Sequence, residues 1–239
     1  LLYALVRRLA NSRLALLVAM VAVFSPFLVA YSREARMYSL LPCLAALTVL
    51  LFLRAQRQPG QPVWWLAYLV LLAVGLATHY YFAWIWFANS LFLILEAIQK
   101  HRTSRWGMAA HALAPLVVLF WLLAAPGLRV SLARVWQGET AFDLTFKMSK
   151  VMPTLVLSEL EGDGVPLVAH LLAIAGWLLA LLGAWSTRKA SDVPPPHVRL
   201  LLLLLVVPLA GSFLVPYSVV GRHLGYLLVP LSVFWALGM

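Results

Sequence analysis

A chain of 239 residues that is 64% hydrophobic and only 11% charged lies outside the range of soluble domains, where about a quarter of residues carry charge. The formal charge of +10 invites a nucleic-acid reading. However, the cations sit in short loops between apolar runs rather than in a dense basic tract, so nucleic acid is set aside as a partner and the charge reports membrane topology. The single Cys43 excludes an internal disulfide, and within an apolar run it reads as a small core residue.

Residues 1–6 read as the tail of a helix that began upstream. The expectation is therefore one transmembrane domain over residues 1–239, an internal piece truncated at its amino end and at its carboxyl end. Arg7, Arg8 and Arg13 make a basic loop, and residues 14–30 form the first whole span, with Pro26 near its far end where a kink is tolerable. A knot of charge follows, Tyr31-Ser-Arg33-Glu34-Ala-Arg36-Met-Tyr38, and then a second apolar run over 37–53. The knot is the loop of a membrane hairpin. If residues 32–38 start the second helix, Ser32 caps it, Glu34 sits in the positive first turn and shares a face with Tyr38, and Arg33 and Arg36 share another.

The polar turn 54–62 carries Arg54 and Arg57, and Trp64 and Trp65 mark a membrane interface. The apolar stretch 63–97 is too long for one span and divides at Thr78-His79-Tyr80-Tyr81, on the knot's side. Lys100, His101, Arg102 and Arg105 close this pair on the other side, and residues 108–125 form the next span. The longest polar segment, 126–164, holds Leu144, Met148, Val151, Met152 and Leu155 at helical spacing, which predicts an amphipathic helix on the membrane surface. Its acidic end carries Glu159, Glu161 and Asp163, read as a solvated loop end in preference to a cation grip. Spans at 165–185 and 200–215, a turn at 216–223 and a last apolar run at 224–238 complete the chain. The fold class expected is all-α, a polytopic transmembrane helix bundle of about eight spans with one longer outer loop. Loops on the Arg7 side hold 11 Lys and Arg against 7 on the knot's side, so the Arg7 side is expected in the cytoplasm and the knot outside.

Guanidinium groups gathered at a lipid surface suit a phosphate, which they grip bidentately. A carboxylate among them would orient a hydroxyl or hold a divalent cation. The plainer alternative makes the arginines and tyrosines interfacial anchors, and His79 a hydrogen-bonded interfacial residue in place of a metal ligand. Arg222 with His223 is ambiguous in the same way, anchor or phosphate contact.

Ser25-Pro26 ahead of the knot, the Thr78-His79-Tyr80-Tyr81 break, and Arg222-His223-Leu-Gly-Tyr226-Leu-Leu-Val-Pro230 together resemble bacterial multi-spanning glycosyltransferases. These are the protein O-mannosyltransferase-like or aminoarabinose-transferase-like members of the C-type fold. The resemblance implies a sugar donor on a polyprenyl-phosphate carrier, membrane lipids as surroundings, an unspecified lipid, glycan or protein acceptor, and a multi-pass inner-membrane location with the site facing outward. It implies Arg33, Arg36 and Arg222 as phosphate ligands, Glu34 as the second acidic group, and His79 and Tyr80 as wall residues, and Tyr38 is a further substrate-binding candidate. The principal acidic base is expected in an outer loop upstream of Leu1. No cofactor is implied beyond a possible divalent cation, for which the sequence names no ligand set. A transporter or flippase for a lipid-linked or sugar substrate is the rival reading. Transporters tend to place charge at mid-membrane in paired repeats, whereas here it gathers at one surface.

Overall fold

A computed structural model describes residues 1–33, 37–100, 104–124, 153, 155–157, 167–187, 193–214 and 221–239. All regular structure among them is helical. The first helices are α1 (Leu2–Leu9), α2 (Ser12–Val23) and α3 (Pro26–Ser32). Asn11 starts α2 by accepting the Leu14 amide on its side chain at 2.8 Å, the usual device for the unpaired amides of a helix start. Ser25 and Pro26 then end that helix and begin another. Proline supplies no amide and fits the first turn, while Ser25 Oγ accepts from the Leu28 amide at 3.4 Å. The axis turns by 59° between α2 and α3, so the kink expected at Pro26 is a sharp bend.

Next come α4 (Leu40–Arg57), α5 (Pro62–Thr78), a 3-10 turn over Tyr80–Phe82, and α6 (Ala83–Lys100). The division expected at residues 78–81 stands in place. α7 spans Arg105–Ala124, α8 Leu167–Ser186 and α9 Pro195–Leu214. A 3-10 segment over Gly221–Leu227 leads into α10, Leu228–Gly238.

α10 is the hub. Every side chain from Leu228 to Ala236 is buried, the pattern of a helix enclosed on all sides, and it packs against α2, α4, α8 and α9. Its closest neighbour is α8, because glycines let the two backbones touch: a Cβ on Gly183 would overlap the Phe234 carbonyl, and one on Gly238 would overlap the Leu179 carbonyl. Trp235 Nε1 donates to the Gly176 carbonyl at 2.8 Å and Ser186 Oγ to the Leu237 carbonyl at 3.1 Å. Small residues at the seam and polar groups bonded across it are what holds helices together where lipid removes the hydrophobic drive. Phe52 of α4 anchors the rest, with Trp65 and Tyr68 of α5, Phe92 of α6 and His111 of α7 around its ring.

Three expectations are corrected. Among the described residues three helices, Leu40–Arg57, Tyr80–Gln99 and Pro195–Ser212, are long and apolar enough to cross a membrane, or four with the bent pair, not eight. α5 falls short because the break at His79 ends it after 17 residues, about 26 Å at ~1.5 Å per residue against a core of ~30 Å. Ser32 does not cap the second helix. The helix begun at Pro26 runs on through it, its Oγ donates back to the Val29 carbonyl at 2.8 Å, and α4 starts eight residues later, so Tyr38 stands in the turn ahead of α4 and not within a helix begun at Ser32. Cys43 is exposed rather than a core residue, because the face of α4 carrying Leu41, Ala45 and Phe52 takes the protein side. The amphipathic helix of the long segment lies outside the described residues except for Pro153 and 155–157, which are helical, with Leu155 fully buried.

Candidate functional site

The knot is entered from α3 and left through α4. Arg33 ends α3 in an exposed position, residues 34–36 lie outside the described set, and the turn 37–39 feeds α4, the Met37 carbonyl accepting from the amides of Leu40 and Leu41 at 3.1 Å each. Tyr31 and Tyr38 are both buried, their rings 5.8 Å apart edge to face, with Phe27 at 4.5 Å from Tyr31. An aromatic ladder thus runs down from the knot. The tyrosines that interfacial anchoring would leave exposed face the protein here.

The second break is built by His79. Its backbone is extended where α5 stops, and its Nδ1 accepts the Tyr81 amide at 3.2 Å, so the imidazole caps the 3-10 turn as a serine would. With Nδ1 accepting, the proton of the neutral ring resides on Nε2. Burial pushes the His79 pKa down to about 4, because a desolvated imidazolium is costly, and the ring is uncharged at neutral pH. Tyr80 stacks on it at 4.8 Å and 22° and is 43% exposed. Tyr81 is buried, and Phe82 fits under Gly75, where any Cβ would overlap its ring.

The ladder joins the two breaks: the Tyr38 and His79 rings lie 6.4 Å apart. The third segment, Gly221–Leu227, closes on the same end. A Cβ on Gly225 would stand 2.9 Å from Phe27 Cε1 and 3.8 Å from Pro42 Cγ, so the glycine lets this segment lie on α3 and the first turn of α4. Beside it Tyr226 is buried, within electrostatic reach of Tyr81, and its hydroxyl has no hydrogen-bond partner among the described residues.

Three stretches far apart in sequence therefore meet at one end of the bundle. Of the expected site residues, Tyr38, His79 and Tyr80 belong to this assembly, and Arg33 borders it at the end of α3. The backbone of Arg222 is in the 3-10 segment that packs there, its side chain being outside the described set, as are Glu34 and Arg36. Tyr31, Tyr81 and Tyr226 join it without having been singled out as site residues. Gly225 was the available signal, a lone glycine where a close backbone approach is expected. Among the described residues no group of three or more His, Cys, Asp or Glu is placed to hold a metal.

A family model described as dolichyl-phosphate-mannose-protein mannosyltransferase matches residues 1–125. The chain belongs to that mannosyltransferase family. The matched residues run from α1 through α7 and include the knot and the His79 break. As a member of the mannosyltransferase family, the chain is an integral membrane glycosyltransferase that works with a lipid-linked sugar donor among membrane lipids. No significant match links it to a curated protein or to a solved structure.

Proposed function

We propose that this chain moves a sugar from a polyprenyl-phosphate carrier to a lipid, glycan or protein acceptor at the outer face of the inner membrane. The observation that carries the reading is the meeting of the knot, the His79 break and the Gly221–Leu227 segment at one end of the helices. Each brings a polar break to the same place, and two of them bring arginine. In the reaction an acceptor oxygen bonds to the anomeric carbon while the bond from that carbon to the carrier phosphate breaks, its electron pair leaving with the phosphate oxygen. Arg33, Arg36 and Arg222 stabilise the charge that grows there, the kind of preorganised contact that counts most in a transition state. Glu34, next to Arg33 in sequence, is the acidic group of this proposal, and the acceptor proton passes to it or to a base outside residues 1–239. Neutral His79 contributes a wall and an Nε2 donor rather than charge, Tyr38 backs it, and Tyr80 offers an exposed ring to the substrate side.

The test is sugar transfer by the full-length protein in nanodiscs from a polyprenyl-phosphate sugar, normalised to folded protein. Losing a charge-assisted contact removes ~1.5 to 3 kcal/mol, so Arg36→Ala and Arg222→Ala should each lower turnover roughly ten- to a hundredfold. Arg→Lys should rescue only in part, because lysine keeps the charge and loses the two-pronged grip. Near-wild-type turnover in both alanine variants would return the arginines to anchoring and overturn the assignment.

A further inference from the structure

A second polar group lies inside the bundle, away from the three breaks, and glycosyl transfer makes no use of it. It is built from Thr48 of α4, Tyr68 of α5, Asn89 and Ser90 of α6 and His111 of α7. Thr48, Tyr68 and Asn89 are fully buried and His111 nearly so. The Phe52 ring is its floor, 5.5 Å from Tyr68, 5.8 Å from Phe92 and 6.1 Å from His111. Thr48 precedes Phe52 by about one turn of α4, and Asn89 precedes Phe92 by about one turn of α6. Both helices run away from the breaks, so Thr48 and Asn89 each lie about one turn nearer the breaks than the Phe52 and Phe92 rings that meet at the floor. The His111 ring stacks on Tyr68 at 5.3 Å and 26°.

The hydrogen bonds fix where the protons are. Ser90 Oγ lies 2.8 Å from the Trp86 carbonyl and 2.7 Å from His111 Nδ1. The carbonyl only accepts, so the one hydroxyl proton of Ser90 goes there, and His111 must donate from Nδ1. That leaves His111 Nε2 as a bare acceptor. Asn89 Nδ2 donates to Tyr68 Oη at 3.2 Å, which leaves Asn89 Oδ1 as a second bare acceptor. Among the described residues neither atom has a hydrogen-bond partner, nor does Thr48 Oγ1, and all three are shut off from solvent. Two acceptors and one hydroxyl call for a group that donates twice and accepts once.

We propose that Thr48, Asn89 and His111 hold one water molecule between α4, α6 and α7, a hydration site inside the membrane span. Water donates to Asn89 Oδ1 and His111 Nε2 and accepts from Thr48 Oγ1, which gives the ~3 hydrogen bonds usual for a buried water. A metal ion does not fit, for the cluster has one imidazole, no carboxylate and no thiolate. The site is also independent of the glycosyltransferase reading, since none of its residues lies in the three breaks.

Radiolytic footprinting of the full-length protein in nanodiscs tests this, because hydroxyl radicals formed from a bound water oxidise the rings beside it. The proposal expects Tyr68 to be oxidised although it is fully buried, while the equally buried Phe27 and Phe234 are not. It expects the Tyr68 label to be lost in Asn89→Leu and in Thr48→Val. Footprinting the wild type after a brief mix into oxygen-18 water adds a readout that needs no variant: label at Tyr68 should gain the heavy isotope more slowly than label at exposed Tyr80. An unlabelled Tyr68 in the wild type overturns the site. So does a Tyr68 label that exchanges as fast as that of Tyr80, or one that survives both substitutions, since either would mean radicals arriving from bulk water.

Discussion

Replacing Gly225 with alanine tests whether the Gly221–Leu227 segment is held against α3 by close contact. The added methyl would lie 2.9 Å from Phe27 Cε1 and 3.0 Å from Cζ, well inside the ~3.5 to 4.0 Å optimum for two carbons. Phe27 is fully buried with Tyr31 packed at 4.5 Å on it, so the ring has little room to retreat and the backbone of residues 221–227 has to move. Overpacking of this kind costs ~1 to 3 kcal/mol. Because Arg222 rides on the displaced segment, turnover should fall along with stability. Phe27→Leu in the same chain removes the ring edge that the methyl strikes, so the double variant should be less destabilised than the two single effects added, the signature of a direct contact. The assay is a pair of measurements on full-length protein in detergent and nanodiscs: thermal midpoint by intrinsic fluorescence, and sugar transfer per folded molecule. If Gly225→Ala were neutral in both, or if its cost were unrelieved by Phe27→Leu, the packing argument would fail.

His79 gives a pH dependence. Its folded pKa of about 4 lies below the usual 6.5, so the unfolded chain binds the proton more readily; stability should be level above about 6.5 and fall as pH drops toward about 4. Thermal midpoints across that window should slope less in His79→Gln, and an unchanged slope would clear His79 of the effect. Gly183→Ala should sharply lower the yield of folded protein, since the new methyl meets the Phe234 backbone carbonyl rather than a yielding side chain; normal yield and midpoint would contradict the α8 to α10 seam. A cysteine at exposed Ser32, with Cys43 changed to serine because it too is exposed, should react with an impermeant thiol reagent in intact cells. Labelling only after lysis would turn the topology over.

Pro26 and the Thr-His-Tyr-Tyr stretch announced their breaks because each carries local chemistry that ends a helix: a missing amide in one case, a polar cluster in an apolar run in the other. The start of α4 was misread because Ser32 has two uses, capping a new helix or bonding back to the turn behind it, and sequence alone does not choose between them. The central position of α10 was not legible either. Residues 224–238 are as apolar as a lipid-facing span, and in a membrane protein apolar side chains face lipid and protein alike, so periodicity loses the contrast it has in water. The polar cluster around His111 escaped for a related reason. Tyr68, the adjacent Asn89 and Ser90, and His111 are isolated polar positions in three separate apolar helices, and only the packing of α5, α6 and α7 unites them.

The assembly of the three breaks follows from what a broken helix requires in lipid. Every interruption leaves amides and carbonyls without intrahelical partners, and no water is at hand in the hydrocarbon to satisfy them. Here nearby side chains take up part of that demand: Ser25 Oγ for Leu28, His79 Nδ1 for Tyr81, Ser32 Oγ for the Val29 carbonyl and Thr78 Oγ1 for the Val74 carbonyl. Breaks satisfied in this way still carry polar surface that is costly against lipid tails, and pressing them together behind Phe27, Tyr31, Tyr38 and Tyr81 hides it. What the caps do not consume stays at the surface, the Arg33 side chain and the exposed ring of Tyr80. The interruptions in these helices thus also leave a cation and an aromatic face at one end of the bundle, the two features on which the proposed phosphate-linked donor site rests.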